Sequence, residues 1–321
     1  MRAAARRTQD NGMKVVLFAY HDVGCACLRA LLESGATVVL AVTHRDDPRE
    51  NVWFGSVRAI AEENGIPVAA PDDVNEPSFV ARVRDLAPDV LLSAYFRQIL
   101  GPALLAIPKR GAFNMHGSLL PKYRGRAPVN WVLVEGESVT GVTLHVMDPR
   151  PDRGDIVGQR EIPITDDDTA RTLHGKTAAA AGELLGELWP RIEAGTETRT
   201  PQDPAMASTR GRRGPEDGRI DFTRPARACW NLVRAVTHPY PGAFTLAGGR
   251  KLYVWKASLA PGHKSKGPGR VEDVVPGRGV LVGAGAGESL LLERVQLEGD
   301  VERDADTLAV SGALAVGQIL G

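Results

Sequence analysis

"KVVLFAYHDVGCACLRALLESGATVVLAVTH", residues 14–44, decides the fold. Its first seven residues (14–20) are almost continuously apolar and read as a buried strand. "HDVGCACLRALLESG" is a helix that stops at Gly35. "TVVLAVTH" (37–44) is strand again. The alternation continues outward. "GSVRAIAEENG" (55–65) is a helix, "IPVAAP" (66–71) a short strand, "EPSFVARVRDLAP" (76–88) a helix and "DVLLSAY" (89–95) a strand. "ILGPALLAIPKRG" carries a short helix, and "GAFNMH" (111–116) closes the series as a strand. Strand and helix in strict turn imply an α/β class, a Rossmann-like doubly wound and mainly parallel sheet.

Further on, "APVNWVLVEGE" (127–137) reads as a helix, "TGVTLHVMD" (140–148) as an alternating strand and "IVGQREIPI" (156–164) as another strand. A long Ala-rich helix opens on an Asp/Thr cap and ends at Gly195. Composition then shifts. Residues 201–219, "PQDPAMASTRGRRGPEDGR", are polar and rich in Pro, Gly and Arg, as a linker is. Beyond them come a helix at 225–236 and short strands with Gly-rich turns at 243–297, the pattern of a smaller β-barrel of OB type. The expected organisation is a disordered tail at 1–12, a catalytic domain at 13–200, a linker at 201–219 and a C-terminal β domain at 220–321. Met13 is a second candidate start.

With 39 basic and 39 acidic residues, no global field steers the chain toward nucleic acid, so anion binding must be local. Cys25, Cys27 and Cys229 make neither a disulfide framework nor a CxxC, which points to a reducing, cytoplasmic setting and to no metal. No run of eighteen apolar residues offers a membrane span, and residues 1–12 lack the apolar core of a signal peptide.

Ligands of doubly wound sheets bind at the carboxyl ends of the strands. Asn114 and His116 stand at such an end, at the start of "FNMHGSLLPKYRGRAP" (113–128). A lone His near apolar residues is most often structural, and an Asn beside it is often a turn former. Two residues apart on a strand, however, the two side chains share one face. One suits a proton carrier and the other an oxyanion donor. Lys122, Arg124 and Arg126 follow between Pro121 and Pro128; the common reading is a solvated basic turn, and the placement suits a phosphate or carboxylate. "DPRPDRGD" (148–155) offers Asp148, Asp152 and Asp155, and spacing alone does not choose which one reaches His116. No Walker A or GxGxxG motif follows the first strand.

"FNMHGSLLPKYRGRAP" followed by "TGVTLHVMDPRPDRGDIV" resembles the 10-formyltetrahydrofolate-dependent formyltransferases. Their signature is Asn-x-His-x-Ser-Leu-Leu-Pro, with an Asp in a loop after the next strand. The likeness runs from about residue 13 to 300 and includes "RAVTHPYPGAF" (234–244). Within the family, "FAYHDVGC", "THRDDP", "HGSLLPKYRGRAPVNWVLV" and "GRRGPED" are most similar to the UDP-4-amino-4-deoxy-L-arabinose formyltransferases of lipid A modification, the amino-terminal half of a bifunctional polymyxin-resistance enzyme. That enzyme continues into a decarboxylase domain; here the chain ends at Gly321, so the second activity is expected to be absent or encoded elsewhere. "PDRGD" is more like methionyl-tRNA formyltransferase, the alternative within the family.

The resemblance implies roles. Asn114 stabilises the transition state, His116 is the general acid/base, and Asp152 supports the protonated His116 and fixes its tautomer. Gln98, Ile99 and Leu100 contact the pterin or its formyl arm. Arg126 and the loop Asp148, Pro149, Arg150, Pro151 and Asp152 complete the folate pocket. Lys122, Tyr123 and Arg124 face the acceptor. The co-substrate is 10-formyltetrahydrofolate, without a metal, and the acceptor a nucleotide sugar. A tRNA clamp would need a basic insertion after the second strand, whereas "THRDDPRENVWFGS" (43–56) has balanced charge. A deformylase using water, or a non-catalytic folate or sugar-nucleotide module, are the readings from other classes. A homo-oligomer stays open.

Overall fold

The computed structural model describes residues 12–47 and 51–321. The expected tail lies outside them except for Gly12, as does the middle of the 43–56 segment.

The chain runs β1 (Lys14–Ala19), α1 (His21–Glu33), β2 (Thr37–Val42), α2 (Val57–Glu63), β3 (Val68–Ala69), α3 (Pro77–Asp85), β4 (Val90–Ala94), α4 (Pro102–Leu105) and β5 (Gly111–His116). It continues with β6 (Arg124–Gly125), α5 (Pro128–Glu135), β7 (Val139–Val146), β8 (Ile156–Pro163), α6 (Ala170–Ala194) and β9 (Thr209–Arg210). The last part comprises α7 (Ala226–Val236), β10 (Ala243–Ala247), β11 (Arg250–Leu259), β12 (Val271–Val275), β13 (Gly279–Gly283), β14 (Ser289–Leu297), β15 (Arg303–Asp304) and α8 (Ala305–Val310).

The seven-stranded sheet has the order β3-β2-β1-β4-β5-β7-β8. β1 pairs in parallel with both β2 and β4, and β4 with β5, as the strand–helix alternation requires. Strands covered by helices on both faces read as unbroken apolar runs, and β4 is buried at every position. Val16, Phe18, Leu40, Val42, Leu91, Leu100 and Leu104 belong to one core cluster. α1 turns Val23, Cys27, Leu28 and Leu31 inward and gives way at Gly35, whose φ of 78° is the left-handed cap that suits glycine. Winding runs from β1 out to β3 and then back through β4 to β5, so the order reverses between β1 and β4. β7 departs from the parallel rule. It pairs antiparallel with β5 and places His145 directly opposite Asn114.

The C-terminal β domain is an antiparallel sheet ordered β10-β11-β14-β13-β12, with β15 paired to β14. A two-stranded ladder joins β6 and β9, both in stretches read as loop or linker. The contact pattern divides the chain into two units that do not follow sequence blocks. One contains the chain up to Arg124, Gly141–Glu161 and Thr177–Ala207; the other contains Gly125–Thr140, Ile162–Lys176 and Ser208–Gly321.

Candidate active site

β5 places Asn114 and His116 two residues apart, and the His116 ring is buried, 7% exposed. Its Nε2 lies 2.8 Å from the Tyr123 carbonyl oxygen. A carbonyl only accepts, so this nitrogen carries the hydrogen. Nδ1 then faces Asp152, 3.5 Å from Oδ1. A second imidazole completes the group. His145 Nδ1 donates to the Val146 carbonyl at 2.8 Å. That leaves Nε2 as an acceptor for the Asn114 Nδ2–H at 3.0 Å. The same Nε2 is 3.6 Å from Asp152 Oδ1, so one carboxylate sits between two rings. One N–H of the Asn114 amide is thereby committed, its orientation is fixed, and the other remains for a ligand.

A closed polar network holds the turn after His116. Thr143 Oγ1 donates to the Ser118 carbonyl at 2.6 Å and accepts from Leu120 N–H at 3.0 Å and Gln159 Nε2 at 2.9 Å. Its one donor and two acceptor sites are all used. Gln159 Nε2 also reaches the Leu120 carbonyl at 2.8 Å, and Ser118 Oγ donates to the Lys122 carbonyl at 2.7 Å. The Leu120–Pro121 bond is cis, and Tyr123 takes a positive φ of 57°. The carbonyl that orients His116 is therefore itself held in place.

The Asp loop is braced separately. Asp152 has φ 58°. Gln202 Nε2 donates to the carbonyls of Asp152 at 3.0 Å and Gly154 at 2.7 Å, while its Oε1 accepts from Arg124 Nε at 3.1 Å and Nη2 at 2.6 Å. Burial, reinforced by the charge of Arg153, holds the Arg124 guanidinium below its ordinary range, partly opposed by Asp152. At Gly154 the backbone passes so close to Val146 that a Cβ would stand 1.9 Å from its carbonyl oxygen.

The other expected site residues divide by what their side chains do. Gln98 Oε1 accepts from Val74 N–H at 3.0 Å and its Nε2 donates to the Asp72 carbonyl at 3.2 Å. Leu100 is a core residue, 2% exposed, while Ile99 next to it is 60% exposed and free to meet an apolar ligand. Asn75 pins this segment by bonding the Ile99 carbonyl at 3.0 Å and the Gly101 N–H at 2.7 Å. Arg126, Lys122, Pro149, Arg150 and Pro151 are exposed, and Tyr123 and Arg124 are buried. Asp148 caps its own loop, accepting from Arg150 N–H at 2.6 Å. Arg126 belongs to the other unit from His116 and Asp152. His145 and Gln202 were not singled out from the sequence. None of the three thiols is an activated nucleophile: burial pushes Cys25 up to about 11, Cys27 to about 12 and Cys229 to about 11.

A carboxamide, two imidazoles and a carboxylate thus meet at the carboxyl edge of the doubly wound sheet. Residues 13–188 match the formyl transferase family and residues 213–311 its C-terminal domain. The chain belongs to the formyl transferase family. Among solved structures it is similar to an N-formyltransferase from Helicobacter canadensis in complex with folinic acid and dTDP-3-aminofucose. That match has a TM-score of 0.66 and 21% identity over 87% of this chain and 98% of that one. It is similar also to WlaRD, a sugar 3N-formyl transferase in the presence of dTDP and 5-N-formyl-THF (TM-score 0.66, 20% identity, 91% and 100% coverage). A tetrahydrofolate complex of HypX from Aquifex aeolicus matches with a TM-score of 0.63 and 14% identity, over 95% of this chain and 48% of that chain.

Proposed function

We propose that the protein transfers the formyl group of 10-formyltetrahydrofolate to the amine of a nucleotide-linked amino sugar. The observation that carries this reading is Asn114, His116 and Asp152 gathered at one strand end in a member of the formyl transferase family. Ile99 gives an exposed apolar contact on a segment pinned by Asn75.

The donor supplies an electrophilic formyl carbon. The free Nδ2–H of Asn114 meets the negative charge that grows on the formyl oxygen. His116 takes the proton the attacking amine must lose and delivers it to the departing nitrogen. Because Nε2–H is tied to Tyr123, the mobile proton is held at Nδ1, and Asp152 stabilises the ring while it is charged. His145 keeps the Asn114 amide aimed. The 98–100 segment and the 148–152 loop are the folate side in this reading, and Lys122, Tyr123 and Arg124 the acceptor side.

The acceptor we propose first is UDP-4-amino-4-deoxy-L-arabinose, from the likeness of the 18–25 and 116–134 segments to enzymes acting on it. The dTDP ligands of two similar structures make dTDP-amino sugars the direct competitors. Three buried, unpaired cysteines support a cytoplasmic site of action. The test is one parallel assay. Protein and 10-formyltetrahydrofolate are incubated with UDP-4-amino-arabinose, a dTDP-amino sugar, Met-tRNA or no acceptor. Formylation of the UDP sugar is expected. Transfer to the dTDP sugar alone would keep the reaction and change the substrate. Transfer to Met-tRNA alone, or donor hydrolysis without acceptor, would overturn the reading.

A further inference from the structure

The "GRRGPEDGR" stretch (211–219) forms part of a cavity with α5 and α7. The cavity holds ≈ 190 Å³ and is lined by Trp131, Arg213, Asp217, Arg219, Asp221 and Arg224, together with apolar side chains. An apolar cavity of about 150 Å³ admits a benzene-sized guest, so a small ligand fits. Arg213 lies over the Trp131 ring with its Cζ 4.5 Å from the centroid, and its Nη2 donates to the Asp217 carbonyl at 2.7 Å. Its Nε–H is buried and meets no acceptor. A buried unmatched donor on a cation is expensive, and native structures keep one where an ion or water completes it.

The acids at this cavity are already engaged. Asp217 Oδ2 accepts from Gly214 N–H at 2.6 Å, and Asp221 Oδ1 accepts from the Thr223 hydroxyl at 2.6 Å and N–H at 3.0 Å. Those Thr223 bonds hold the Asp221 carboxyl below the usual carboxylate range. Arg219 and Arg224, by contrast, are exposed and form no ion pair among the described residues. Three guanidinium groups thus face two carboxylates: Asp217 acts on Arg213 and Asp221 on Arg224, which leaves Arg219 as the cation without an anionic partner among the described residues. Arg suits bidentate capture of an oxyanion.

We propose that this cavity binds a compact oxyanion of the phosphate class, either inorganic phosphate or a diphosphate. The Arg213 Nε–H is its inner donor, and Arg219 and Arg224 close on it from the mouth. Nothing in this assignment depends on the formyl acceptor.

The experiment titrates the full chain with pyrophosphate, and in a second arm with inorganic phosphate, at constant ionic strength. It reads tryptophan emission and the thermal midpoint. A saturable emission change is expected that disappears in Trp131→Phe while the midpoint shift remains. The double variant Arg219→Ala, Arg224→Ala should weaken binding at least about tenfold, the equivalent of about 1.4 kcal/mol, and should leave formyl transfer intact. His116→Ala should bind as the unaltered protein does. The arm that saturates at lower concentration identifies the ligand. An absent or non-saturable response, or a double variant that binds normally, overturns the proposal.

Discussion

At His116 one ring nitrogen is held by a carbonyl and the other by a carboxylate, so the ring has one orientation and one place to carry a mobile proton. Asn114→Ala and His116→Ala should each lower kcat with little change in folate affinity, because in the proposed mechanism both act on charge that appears only in the transition state. For Asn114 the expected loss is about 100- to 1,000-fold. Turnover near that of the unaltered enzyme in either variant would refute the assignment. Asp152→Asn keeps the shape and removes the charge beside the His116 ring, so it should lower kcat with little change in folate affinity. In the proposed mechanism His145 acts through Asn114. His145→Gln should leave KM unchanged and lower kcat, and His145→Ala should lower it further; equal KM and kcat effects in the two would indicate a packing role only. Thr143→Val strips three hydrogen bonds from the turn that carries the Tyr123 carbonyl. It should lower the thermal midpoint, with a cost of about 1–3 kcal/mol for the groups left unmatched.

Among the elements, the Asp loop tolerates least. A methyl group at Gly154 would collide with the backbone carbonyl of Val146 rather than with a movable side chain. Gly154→Ala should therefore displace the 148–155 loop and reduce kcat as strongly as Asp152→Ala, which a crystal structure of the variant would register as a shifted Asp152. The start of α6 offers a test of acid stability. Burial alone would raise the Asp168 carboxyl, but hydrogen bonds from Lys176, the Thr165 N–H and Thr172 outweigh it and hold it below the usual range. A depressed carboxyl contributes stability above its unfolded pKa of about 3.9 and loses it as pH falls through the lower folded value. The thermal midpoint should fall less steeply below about pH 4 in Asp168→Asn than in the unaltered chain. These elements also show what a sequence can carry. β1 to β5 are legible because burial on both faces writes itself as apolar runs, and the helices because Gly35, Gly65 and Gly195 stop them. Asn114 and His116 are legible from the two-residue period of β5. His145 is not, since its pairing with Asn114 depends on the antiparallel register of β7. Gln202 is hidden more deeply. It lies in a polar stretch without local periodicity, and its partners are 48, 50 and 78 residues away.

Over the whole molecule, basic and acidic side chains balance at 39 each, so any grip on an anionic acceptor is local. Formyl transfer to an amino-sugar nucleotide should thus vary little between low and moderate salt, whereas productive tRNA binding would fall steeply with each phosphate contact. A steep salt slope with Met-tRNA as the better acceptor would reverse the choice made above. The division into two units has a different reach. The chain crosses between them at 124/125, 140/141, 161/162, 176/177 and 207/208. α5 lies on the early side of the last crossing, yet it packs with α7, and Asn130 on it donates to the Ala235 carbonyl at 2.8 Å. During synthesis α5 emerges about a hundred residues before its partner and must wait for it. By the same token, recombination between two relatives at the 207/208 border would give a chimaera whose α5 comes from one parent and α7 from the other. Exchange of residues 208–321 should succeed only when residues 125–140 and 162–176 travel with them.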